Sequence, residues 1–140
     1  MLEQIVRVST RWRAEFESIA RAFNTHLDGD IRAVCAPQFY GCSPVDAADP
    51  ILGLPALIAA EILCAQMLTA AGITPHGVIG HSTGEYAAAI AAGALTIDQL
   101  APLIAARSTE LARMRSGAMV RVRASAAELE QVLEQFPSVE

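Results

Sequence analysis

Residues 79–95 read IGHSTGEYAAAIAAGAL, with a serine set between two glycines and an alanine-rich run behind it. The segment before the serine, Gly77-Val78-Ile79-Gly80-His81, is a short apolar run of the kind that forms a strand covered on both faces. The segment after it, Gly84 to Ala92, predicts a helix that is apolar all round and slim enough to lie close against a sheet. Strand, tight turn and helix in that order are the parts of a parallel α/β unit. Gly80-His81-Ser82-Thr83-Gly84 then fits G-x-S-x-G in the context of a nucleophile elbow. Both glycines are expected because a Cβ at either place would strike the neighbouring strand or helix. Ser82 would be lifted to the carboxyl edge of the sheet, with the Thr83 backbone N–H facing a developing oxyanion. The competing reading is a Gly/Ser loop without chemistry.

The flanking elements follow from periodicity and punctuation. Trp12, Phe16, Ile19, Ala20, Phe23 and Leu27 recur at helical spacing, opposite Arg11, Arg13, Glu15, Glu17 and Arg21, which predicts an amphipathic helix. Residues 28–53 carry Gly29, Pro37, Gly41, Pro44, Pro50 and Gly53, a density that implies loops with one short helix. A mostly buried helix is expected over Ala56 to Ala71, opened by Pro55 and closed by Gly72, with Glu61, Gln66 and Thr69 on one narrow edge. Thr96 is the expected N-cap of a further helix with Asp98 in its first turn, and Pro102 predicts a kink or late start there. Beyond Gly117, Val120 and Val122 alternate with Arg121 and Arg123 as in a half-exposed strand. Ser125 and Glu128 make a capping box ahead of Leu129, Val132, Leu133 and Phe136.

Bulk properties narrow the function classes. A chain of 140 residues, 53% hydrophobic and 18% charged, has the composition of a folded domain and not of a disordered segment. A formal net charge of -5 without a dense Lys/Arg run argues against nucleic acid and anionic membranes as partners. Cys35, Cys42 and Cys64 are odd in number and lack zinc-type spacing, so reduced thiols in a cytoplasmic protein, with no metal, are expected. The longest apolar run, Ile51 to Ala60, stops at Glu61, short of the roughly 20 residues of a membrane helix.

A second candidate comes from spacing alone. Arg107 falls on the stripe of Leu100, Leu103, Ile104, Leu111 and Met114, so a guanidinium interrupts an otherwise apolar face. A buried charge costs several kcal/mol unless paired. The planar fork suits a carboxylate, supplied either by a substrate or by an internal Asp or Glu.

Gly80-His81-Ser82-Thr83-Gly84-Glu85-Tyr86, then Ala92-Gly93-Ala94-Leu95, then Arg107, then Gly117-Ala118-Met119 together resemble the malonyl-CoA:acyl carrier protein transacylases and polyketide synthase acyltransferase domains. The resemblance is clearest from Pro55 to Val122 and looser over residues 10–34. It implies an α/β-hydrolase-like acyltransferase core, residues 1–116, joined to the first strand and helix of a ferredoxin-like subdomain, residues 117–140, with both parts incomplete. It implies Ser82 as the nucleophile, taking an acyl group from coenzyme A and passing it to the phosphopantetheine thiol of an acyl carrier protein. Thr83 would give one oxyanion N–H and Arg107 would bind the free carboxylate of a malonyl-type group. No cofactor is bound on this reading, since the coenzyme A thioester is substrate. The other partners implied are the carrier protein and the rest of the domain or synthase.

The departures are as specific as the matches. The family's glycine-glutamine loop, source of a second oxyanion donor, has no counterpart before Trp12, and its catalytic histidine lies beyond Glu140, so the chain reads as a piece of an acyltransferase. His81 neighbours Ser82 on an extended segment and so points away from it, a supporting residue and not the base. His26 and His76 are expected to be structural, and Glu85 a helix N-terminal anchor. Two other classes remain: an α/β-hydrolase serine esterase, and a non-catalytic acyltransferase fragment that binds a partner.

Overall fold

The computed structural model describes residues 2–114 and 121–136. Eight helices occupy them: α1 (Leu2–Val8), α2 (Thr10–Asn24), α3 (Arg32–Cys35), α4 (Pro37–Tyr40), α5 (Gly53–Ala70), α6 (Gly84–Ala91), α7 (Ile97–Arg113) and α8 (Ala126–Leu133). No strand occurs among the described residues. The strand predicted at 77–81 is corrected to a largely exposed segment without regular secondary structure. A strand's hydrogen bonds lie between chains of the ladder and not within one, so an apolar run becomes a strand only beside a partner. Among the described residues it has none.

The core is a helix packing. α2 presents Phe16, Ile19, Ala20 and Phe23, all buried, as its periodicity predicts. Its start is set by Ser9, whose side chain accepts from the Trp12 N–H at 3.4 Å. α5 lies against α2, α6 and α7, and α1 lies against α2. The apolar cluster is completed by Ile31, Ile58, Ile62, Leu63, Leu100 and Ile104. Burial of each such large side chain is worth about 1.5–3 kcal/mol.

α5 is buried chiefly in its first half, through Gly53, Pro55, Ala56, Ile58, Ala59, Ile62 and Leu63. That corrects the expectation of a mostly buried helix: Leu68, Thr69 and Ala70 are exposed. α5 is long and apolar enough to cross a membrane by length and composition, a property it shares with core helices of its kind. It ends as its sequence predicts. Gly72, at φ 86°, lets the Ile73 N–H reach back to the Leu68 carbonyl at 3.1 Å and the Gly72 N–H to Thr69 at 3.0 Å. The loop region holds two single-turn helices, α3 and α4, where one was expected.

α7 begins at Ile97, not late, because Thr96 and Gln99 form a reciprocal capping box that fixes the first turn ahead of Pro102. Its buried face is Leu100, Ala101, Ile104, Ala105 and Ser108. Leu103, Leu111 and Met114, placed on the core stripe by periodicity, are exposed. The buried stripe sets Leu100 and Ile104 among the small residues Ala101, Ala105 and Ser108, and the packing of α7 against α2 and α5 leaves Leu103 and Leu111 outside it.

In the tail, Ser125 and Glu128 form the expected capping box of α8. Gly117, Ala118, Met119 and Val120 lie outside the described residues, and 121–123 form no strand.

Candidate functional site

Ser82 is the one non-glycine residue at positive φ among the described residues, at 54°. A side chain in that region costs of order 1–3 kcal/mol and persists only where its surroundings impose it. The imposition is local. The Gly84 N–H donates to the His81 carbonyl at 3.0 Å, Glu85 N–H to Ser82 at 3.2 Å and Tyr86 N–H to Thr83 at 3.2 Å, so the chain passes straight from the turn into α6. Gly80 is required by contact: a Cβ there would run into the Glu85 backbone N and Cα. Gly84 is different. A Cβ at Gly84 meets nothing within 4 Å, which corrects the expectation that both glycines are sterically demanded.

Ser82 is solvent-exposed at the lip of this turn, and so are His81 and Glu85. Thr83 is the N-cap of α6, and its amide donates in none of the turn's backbone bonds. Beside the turn is an open, shallow depression of about 300 Å³ bounded by Glu61, Val78, His81, Gly84 and Ala87. Glu61 Oε2 is buried without a hydrogen-bond partner among the described residues. The signal for Glu61 in the sequence is its interruption of an apolar helix.

Arg107 is exposed, which corrects its placement on a buried face; the register of α7 turns it out with Leu103 and Leu111. Its position is nonetheless specific. Its Nη1 donates to Tyr86 Oη at 3.2 Å, and its guanidinium carbon lies 5.8 Å from the centroid of the Tyr86 ring. Among the described residues, no carboxylate pairs with it. Tyr86 is on the first turn of α6, one helical turn past Ser82, so its bond to Arg107 joins the middle of α7 to the end of α6 that follows Ser82 and Thr83. His26, after α2, and His76, in the bend before residues 77–81, are exposed and are not part of this group. The role of Tyr86 is not legible in the sequence, because a partner 21 positions away leaves no local periodicity.

Elsewhere the titrating groups are structural. Burial pushes the Cys35 thiol up to about 12, leaving it protonated and unreactive. Burial and the nearby Glu17 carboxylate push Tyr40 up to about 12. Among the described residues no cluster of three His, Cys, Asp or Glu side chains could hold a metal ion.

The acyl transferase domain family matches residues 3–140. The chain belongs to that family, in its polyketide synthase form. It is 36% identical to the spectinabilin polyketide synthase system protein NorA' of Streptomyces orinoci, over 98% of this chain and 4% of that protein. It is 34% identical to the erythronolide synthase EryA3 of Saccharopolyspora erythraea, over 81% of this chain and 3% of that protein. Polyketide synthase GfsB of Streptomyces halstedii is 32% identical over 92% of this chain and 2% of its own length. This acyltransferase chain thus spans a few per cent of the length of each of these synthases.

Proposed function

We propose that the chain carries the acyl-accepting serine of a polyketide synthase acyltransferase that moves a malonyl-type group from coenzyme A to an acyl carrier protein. The observation that carries this reading is Ser82 at φ 54°, exposed on a turn closed by Gly80 and leading directly into α6. In the first half-reaction Ser82 Oγ attacks the thioester carbonyl, its proton leaves to a base, and the coenzyme A thiol departs with a proton. In the second, the phosphopantetheine thiol attacks the Ser82 ester, and the serine recovers its proton as the acyl thioester leaves on the carrier protein. A covalent ester of this kind implies ping-pong kinetics. The Thr83 N–H, which enters none of the turn's backbone bonds, is the donor this reading assigns to the tetrahedral oxyanion. Arg107, which no carboxylate pairs with among the described residues, is the group to meet the free carboxylate of a malonyl-type substrate.

The test is intact-mass and peptide mapping of the full-length protein after incubation with malonyl-CoA. The acyl group is expected on Ser82, and Ser82→Ala is expected to lower transfer by several orders of magnitude. An acyl group mapped to another residue, or undiminished labelling of the alanine variant, would overturn the proposal.

A further inference from the structure

We infer that Tyr86 is a positioning residue for the acyl-group specificity of this site, holding the Arg107 guanidinium to the element that displays Ser82. The inference rests on the reading of Arg107 as the carboxylate-binding group.

An exposed arginine has many rotamers, and the loss of that freedom works against any ligand it must hold still. Arg107 is exposed but tied: Nη1 donates to Tyr86 Oη at 3.2 Å, and the cation stands 5.8 Å from the ring centroid, within range of a cation–π attraction. Tyr86 is itself fixed. It is half-buried, packs against the apolar cluster, and its N–H closes the elbow turn on Thr83 at 3.2 Å. The tie therefore runs from the turn that strains Ser82, through one phenol, to the guanidinium. A guanidinium has five N–H donors, and the bond to Tyr86 uses one. The others remain for a bidentate partner, and among the described residues no carboxylate takes them. A phenol suits this role because its oxygen accepts from the cation without neutralising it, whereas a carboxylate at position 86 would occupy the fork and repel the substrate's own carboxylate.

The experiment measures dissociation constants of malonyl-CoA and acetyl-CoA for the full-length protein carrying Ser82→Ala, so that neither thioester is consumed. The readout is the malonyl-over-acetyl preference. Arg107→Ala should lower it about tenfold or more, the loss of a charge-assisted contact. Tyr86→Phe, which keeps the ring, should lower it about three- to tenfold, and Tyr86→Leu further, towards the Arg107→Ala value. In the Arg107→Ala background, Tyr86→Phe should lower it no further, since the phenol acts only through the guanidinium. If Arg107→Ala lowers the preference and Tyr86→Phe does not, or if Tyr86→Phe lowers it equally with and without Arg107, the positioning role is overturned and the reading of Arg107 stands. If Arg107→Ala leaves the preference unchanged, or the protein binds neither thioester, the reading beneath it falls instead.

Discussion

Phe23, in the packing of α2 against its neighbours, has no exposed surface, whereas Ile79, three residues before the candidate nucleophile, is 97% exposed. The two regions are both apolar in sequence and solve the backbone problem differently. The helices of the core bond their own N–H and C=O groups, so each needs only a matching face to bury. The run at 77–81 has no internal bonds to make and stays irregular and largely exposed. The elbow that follows is nevertheless formed, because its three turn bonds and the close pass of Gly80 to Glu85 are all local. The candidate site is thus built at the boundary between a region that stabilises itself and one that does not.

That contrast can be broken most heavily from the core side. Phe23→Ala should destabilise the chain by about 3–5 kcal/mol, the usual range for emptying a large aromatic site. Thermal or denaturant unfolding measures the loss, while the specific acylation of the molecules that remain folded should be unchanged. Equal losses of acylation per folded molecule would show that the two regions are coupled.

A sharper separation compares the glycines of one motif. Gly80→Ala should cost about 1–3 kcal/mol by overpacking against Glu85 and should sharply reduce Ser82 acylation. Gly84→Ala, in open space on the first turn of α6, should be neutral or stabilising by about 0.4–1 kcal/mol. Melting curves and acyl-labelling of both variants decide this, and a Gly84→Ala variant as impaired as Gly80→Ala would contradict the geometry.

The smallest expected effect lies at the join of α2 and α3. Asp30 accepts from Asn24 Nδ2 at 2.7 Å, from the Arg32 N–H at 2.9 Å and from Arg32 Nε at 2.8 Å. Burial pushes its carboxyl up, but the hydrogen bonds from the Arg32 side chain, the Arg32 backbone and Asn24 outweigh this and hold it below the usual carboxylate range. A depressed folded-state value stabilises the fold above the unfolded aspartate value of about 3.9 and fades as pH falls through the lower native value. Asp30→Asn should therefore cost about 1 kcal/mol at neutral pH and progressively less in acid, as followed by unfolding midpoints across that range.

Much of the architecture is legible in the sequence because it rests on local rules. α2 follows from the spacing of Phe16, Ile19 and Phe23, and the starts of α7 and α8 from capping boxes at Thr96–Gln99 and Ser125–Glu128. Periodicity places Leu100 and Ile104 of α7 correctly but draws the stripe too wide, since Leu103 is as apolar as Ile104 and only the neighbours that α7 meets choose between them. Ser82 is legible as the turn residue, whereas Arg107 stands out in the sequence for a burial it does not have.

The sequence by itself determined α2, the glycine stop of α5, the caps that open α7 and α8, the tight turn that exposes Ser82, and the family resemblance of its motifs; α1 left no such signal. Those properties depend on bonds and contacts within a few residues. The tertiary structure decided that Gly80 and not Gly84 is sterically bound, that Arg107 faces solvent, and that Tyr86 on α6 holds it across 21 positions of chain. Each of these depends on which surfaces meet once the helices pack. The composition of a single helix says which faces are apolar but leaves the choice among them to its partners.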